Sequence, residues 1–284
     1  MIDRQRANTS RSPRLSRTLH VVVLLSATLG GCHPRVDGHA PPSGAPADLS
    51  QSSYLTPPVV TSAIRMEDGG VALGGKTDSE ARVRLQSPDG SAYGVTAGAD
   101  GSWTLATPLA QGVRLLGVAE VIGSRAVQSV GYLAVLPAPG QAAILLRAGA
   151  GSQTLAAATA SPWISAIDFD ADGGAVISGT GRPGVPVRVA VDGVAAGEGR
   201  PDASGRFSVM PSFTLKSGLH RADAQSSVGQ GHASFAVTPA APIAGAPFAG
   251  QRQAEDWRID WLTPAGAPQT TLVFDRPDAG GHQP

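Results

Sequence analysis

Three aspartates stand at alternate positions in Asp168-Phe169-Asp170-Ala171-Asp172-Gly173. A calcium loop begins this way, because carboxylates at its first, third and fifth positions converge on one hard cation. The twelfth position of such a loop needs a bidentate Glu, and here it is Gly179. Ile167 and Phe169 also alternate with Asp168 and Asp170, as in a strand with one wet face. Asp168, Asp170 and Asp172 are thus a weak calcium candidate beside a plain strand and turn. Trp257, Ile259 and Trp261 share one face at period two. Such a stripe of flat indoles suits sugar rings or a protein partner, but core or interdomain packing across the preceding sandwich ranks ahead of that. Gly179 to Gly184 satisfies G-x-G-x-x-G, but Pro183 and Pro186 flank its last Gly and a β-type run follows. A dinucleotide site needs a helix there, so the segment reads as a turn. His220 and His232 have no nucleophile, zinc spacing or paired carboxylates near them in sequence, and they read as surface residues. The expectation is a non-enzyme without cofactor or structural metal.

The single cysteine, Cys32, permits neither an intramolecular disulfide nor a cysteine cluster. Arg4, Arg6, Arg11, Arg14 and Arg17 precede an apolar run from Val21 to Gly31. That run is about eleven residues long, roughly half of what spans a bilayer. A basic stretch before a short apolar one reads as a secretory signal. Its end, Leu29-Gly30-Gly31-Cys32, resembles the lipobox of bacterial lipoproteins. The resemblance implies cleavage between Gly31 and Cys32, with Cys32 lipidated at sulfur as the new N-terminus. His33 in the following position, where an Asp favours inner-membrane retention, implies the outer membrane. Residues 33–57 are rich in Pro, Gly, Ser and Ala without an apolar period. They cannot bury enough surface to offset ordering entropy, and read as a flexible tether.

The whole chain of 284 residues balances 22 basic against 22 acidic side chains. Loss of residues 1–31 leaves 17 basic and 21 acidic residues, about −4. Neither state has the basic excess of a nucleic-acid binder. Gly 36 and Pro 23 make about a fifth of the chain, which is turn-rich.

Two segments repeat at an offset of about 103 residues. Ser62-Ala63-Ile64, Asp68-Gly69-Gly70, Val83-Arg84-Leu85 and Trp103-Thr104-Leu105 match Ser165-Ala166-Ile167, Asp172-Gly173-Gly174, Val187-Arg188-Val189 and Phe207-Ser208-Val209. Short alternating runs split by Asp-Gly turns predict β-strands at sandwich spacing. Trp103 and Phe207 occupy equivalent places and read as core anchors. The units resemble bacterial Ig-like domains, most closely through Gly179-Thr180-Gly181-Arg182-Pro183-Gly184, Val187-Arg188-Val189, Asp202 to Ser208 and Leu215 to Gly218. In the first unit Lys76-Thr77-Asp78-Ser79-Glu80 replaces the Gly/Pro turn. The resemblance implies seven-stranded sandwiches with an adhesive or spacer role.

Residues 143–155 and 257–274 each read as a hairpin, and the similar endings Ser152-Gln153-Thr154-Leu155 and Gln269-Thr270-Thr271-Leu272 assign the hairpin to the duplicated unit. The expected fold is all-β: two tandem Ig-like β-sandwiches, each followed by a β-hairpin. The expected domains are the signal peptide at 1–31, lipidated Cys and tether at 32–57, units at 58–158 and 159–275, and a disordered tail at 276–284. The expected function is an envelope lipoprotein, held in the membrane by lipid, that presents its modules to a protein or polysaccharide. The alternative is a carbohydrate-binding accessory that uses the tryptophan hairpin; an enzyme with a site assembled from distant loops ranks below both.

Overall fold

The structure, a computed structural model, describes residues 56–276 apart from 109–110, 138–139, 239–242, 244–245 and 255. Gly31 and Cys32, nearly all of the tether and all but the first residue of the tail lie outside the described residues.

Every regular element described is a strand. The first unit runs β1 (Val59–Arg65), β2 (Val71–Lys76), β3 (Arg82–Gln86), β4 (Ala92–Thr96), β5 (Ser102–Thr107), β6 (Arg114–Ile122), β7 (Arg125–Val135), β8 (Ala143–Leu146) and β9 (Gln153–Thr154). The second runs β10 (Trp163–Asp170), β11 (Ala175–Thr180), β12 (Val187–Val191), β13 (Val194–Gly199), β14 (Arg206–Val209), β15 (Gly218–Ser226), β16 (Gly229–Val237), β17 (Phe248–Arg252), β18 (Asp256–Leu262) and β19 (Pro268–Phe274). The first unit pairs a sheet ordered β1-β2-β5 with one ordered β4-β3-β6-β7-β8-β9. The second pairs β14-β11-β10-β19-β18-β17 with β13-β12-β15-β16. Both are antiparallel two-layer sandwiches of Ig-like build, each carrying its additional hairpin.

The duplication extends to backbone irregularities. β1 slips register between Val60 and Ser62 against β2, and β10 slips between Ile164 and Ala166 against β11. Gly75 lies opposite Trp103, and Gly179 opposite Phe207. Each aromatic is buried in its own sandwich core. A Cβ at Gly75 would overlap the Val59 carbonyl and the Trp103 indole; one at Gly179 would overlap the Trp163 carbonyl and the Phe207 ring. The glycine under the aromatic lets the bulged strand close over it. Gly75→Ala and Gly179→Ala are each expected to cost about 3 kcal/mol, the scale of an overpacked core. Urea unfolding checks this, and a midpoint unchanged from wild type would remove the close-approach account.

The two hairpins are not equivalent. β8 extends the six-stranded sheet of the first unit beside β7, with β9 beyond it. β19 instead joins the second unit beside β10, and β18 and β17 follow outward. The shared Gln-Thr-Leu endings therefore mark no shared place in the fold. The hairpins widen one sheet of each unit, and those two widened sheets pack face to face.

That packing forms a third apolar layer. Leu115, Ala134, Leu136, Ile144 and Leu146 from the first unit meet Ala166, Trp257, Ile259, Trp261 and Val273 from the second. Leu133-Ala134-Val135-Leu136 and Ala143 to Leu146 are buried at every position. A strand covered on both faces needs such continuous apolar character, while one with a wet face alternates. The described residues are thus four sheets deep, with three cores, and belong to one compact unit.

Candidate binding surfaces

The tryptophan stripe faces this middle layer. Trp261 and Ile259 are fully buried and Trp257 is 9% exposed. Trp261 meets Tyr132 edge-on, with centroids 6.0 Å apart, and its indole Nε1 donates to Thr271 Oγ1 at 3.0 Å. The packing reading of the stripe holds, the possible binding stripe at Trp257, Ile259 and Trp261 is corrected to a buried layer between the units, and the carbohydrate reading loses its surface. The physical reason is area: a sheet widened by β18 has to cover its new apolar face, and the sheet holding β8 lies against it. The opposite face of β18 is also dry. Arg258 Nη2 pairs with Asp260 Oδ1 at 2.9 Å, both side chains being nearly inaccessible. Thr270 Oγ1 donates to Asp260 at 2.6 Å, so the pair is hydrogen-bonded as a buried pair must be.

The three aspartates of the calcium candidate do not converge. Asp168 is fully buried and accepts from the Ser152 amide at 2.6 Å, the Ser152 hydroxyl at 2.6 Å and the Thr271 hydroxyl at 2.5 Å. Burial pushes its carboxyl up from the ordinary range, against the pull of those hydrogen bonds and of Arg147. Asp170 Oδ1 accepts from the amides of Asp172 and Gly174, which closes the β10–β11 turn. Asp172 is exposed at that turn. No group of three metal-ligating side chains occurs among the described residues. The calcium reading is corrected accordingly: the face expected to be wet is covered at Asp168 by the β8–β9 turn of the other unit.

Gly179 to Gly184 runs out of β11 into a turn, closed by Gly184 N–H to the Pro201 carbonyl at 2.9 Å, and β12 follows. His232 is exposed, whereas the His220 side chain is only 13% exposed and lies over Phe235. Its Nδ1 is 2.7 Å from Asp192 Oδ2 and its Nε2 2.7 Å from the Lys216 carbonyl. Burial lowers the His220 pKa, but these two acceptors outweigh it and the net direction is up. Both partners only accept, which favours the doubly protonated ring. His220 is a strand-to-loop clasp with no nucleophile beside it.

One surface escaped the sequence altogether. Arg147, Arg200 and Arg206 line a polar cleft of about 180 Å³ between the β8–β9 turn and β11, β14 and the β13–β14 connection. Ser152, Thr154, Asp202 and Ser208 share its walls. Arg147 Nε donates to the Gly151 carbonyl at 2.9 Å and Arg206 Nε to the Thr154 carbonyl at 2.8 Å. These residues come from both units, so no local motif announces them.

No family model matches the chain, and no curated protein matches it. Among solved structures it is similar to a chain described as "Biofilm associated protein - BSP domain", at 13% identity over 66% of this chain and 30% of that one, with a TM-score of 0.23. It is also similar to "Central Fibronectin-III array of RIM-binding protein", at 15% identity over 74% and 81% of the two chains, with a TM-score of 0.24. The chain thus spans under a third of the first of these. At such TM-scores neither likeness bears on what this chain binds.

Proposed function

We propose that this is a non-enzymatic lipoprotein of the bacterial outer membrane, anchored through Cys32, whose double sandwich presents a binding or scaffolding surface to an envelope protein. The observation that carries the presenting role is the apolar layer between the units. Separate beads on a string would leave Trp257, Ile259 and Trp261 wet; here they are spent on holding the two sandwiches face to face. A body held this way displays its outer strands in a fixed arrangement. β4 ends the six-stranded sheet of the first unit and β13 ends the four-stranded sheet of the second. An end strand offers unpaired backbone groups to another chain.

The anchoring role rests on the basic segment, the short apolar run and Leu29-Gly30-Gly31-Cys32. Small residues suit the peptidase, and the thiol is the group that carries diacylglycerol. Acyl chains contribute about 0.8 kcal/mol per buried CH₂, so several together hold a protein stably. Radioactive palmitate is expected to label the wild type and not Cys32→Ser; equal labelling of both would overturn the anchor. Cross-linking in intact cells is expected to give discrete adducts with the wild type that disappear with Cys32→Ser. No adducts from the membrane-held wild type would overturn the presenting role.

A further inference from the structure

We propose that the cleft lined by Arg147, Arg200 and Arg206 binds a tetrahedral oxyanion, a phosphate or sulfate group. Two of the guanidinium groups are already fixed. The Nε bonds of Arg147 and Arg206 to backbone carbonyls hold each side chain in place, so little rotamer freedom is lost when an anion arrives. Arg200 Nη1 is tied to the Gly184 carbonyl at 2.7 Å. Each arginine keeps further N–H donors, since a guanidinium has five.

The two nearest carboxylates already accept hydrogen bonds from other groups. Asp202 Oδ1 accepts from the amides of Ser204 and Arg206. Asp168, behind Ser152, already takes three hydrogen bonds. Among the described residues, neither forms an ion pair with the three arginines. Burial is the main influence that lowers the pKa of half-buried Arg147; Asp168 holds it up more than Arg206 pushes it down, and Asp202 adds a smaller upward pull. An anion between the guanidinium groups would take their remaining N–H donors in charge-assisted hydrogen bonds.

Size and donor count narrow the ligand class. A cleft of about 180 Å³ is smaller than the ~300–1,000 Å³ of a site for a whole drug-sized molecule. It suits one charged group. Three guanidinium groups and the Ser208 hydroxyl supply more donors than the two oxygens of a carboxylate can use, whereas phosphate and sulfate carry a fuller set of acceptors. The cleft lies wholly within residues 147–208, so the proposal stands whether or not Cys32 is an anchor.

The test titrates the ¹⁵N-labelled chain with inorganic phosphate, glycerol phosphate and acetate at constant ionic strength. Saturable shifts of the Arg147 and Arg206 Nε–H signals and the Ser152 and Ser208 amides are expected with phosphate. Acetate is expected to bind at least about tenfold more weakly, one charge-assisted hydrogen bond or more being lost. Saturation by glycerol phosphate as well would assign the site to phosphate esters, and saturation by inorganic phosphate alone to the free ion. Arg200→Gln is expected to weaken phosphate binding about tenfold while its melting temperature in chloride stays at the wild-type value. That readout separates binding from folding, and Arg200 is chosen because Arg206 also ties β14 to β9. Linear shifts of equal size with phosphate and acetate, or full phosphate affinity in Arg200→Gln, would overturn the proposal.

Discussion

Trp261→Ala destabilises the folded unit by about 3–5 kcal/mol, the cost of deleting a large buried aromatic. The side chain has no measurable exposure and sits in the layer between the two sandwiches. Its removal leaves a cavity facing Tyr132 and takes the indole donor from Thr271. Rigid sheets on both sides limit collapse into the void. Trp261→Phe keeps most of the volume and loses the hydrogen bond, so about 1–2 kcal/mol is expected. Chemical denaturation of the three chains reads the order directly. If Trp261→Ala cost no more than a surface substitution, about 0.5 kcal/mol, the middle layer would not be the contact that holds the units together.

Asp168→Leu is the second large effect, expected at about 3–5 kcal/mol. It strands the Ser152 amide and two hydroxyls at buried positions without their acceptor. Asp168→Asn is expected to cost only about 1 kcal/mol. Its carbonyl still accepts from the Ser152 amide, and the hydroxyls of Ser152 and Thr271 rotate to accept from its NH₂. The pair also separates a pH effect. Burial raises the Asp168 carboxyl in the folded chain, so the folded state holds its proton more tightly than the unfolded state. The resulting stability is present below the unfolded carboxylate value. It is lost as pH rises from there through the raised one. Asp168→Asn removes that loss, and a stability–pH curve identical to wild type would sink the assignment.

Much of the β-architecture was legible in the sequence because β-patterning is local. Val83-Arg84-Leu85 and Val187-Arg188-Val189 alternate, Asp-Gly pairs mark turns, and the repeat at about 103 residues carries even the bulge and the Gly–aromatic contact. The hairpins were legible as hairpins. Their attachment was not, since a strand's sequence records which residues are buried but not which sheet buries them. That gap explains both site corrections. Alternation in Trp257 to Trp261 and in Ile167 to Asp170 reads as one dry and one wet face; the structure covers the second face as well, with Asp260 and Arg258 in one case and Ser152 and Thr271 in the other.

The sequence by itself determined the strand periodicity, the duplication, the turns and the lipobox-like ending at Cys32, because each depends on neighbours within a few residues or on self-similarity. Only the tertiary structure decided where the tryptophans and the buried aspartate pack and that the three arginines share one cleft. Burial, desolvation and convergence of charge depend on which surfaces meet, and here the decisive surfaces come from two copies of one unit whose added hairpins differ in where they attach.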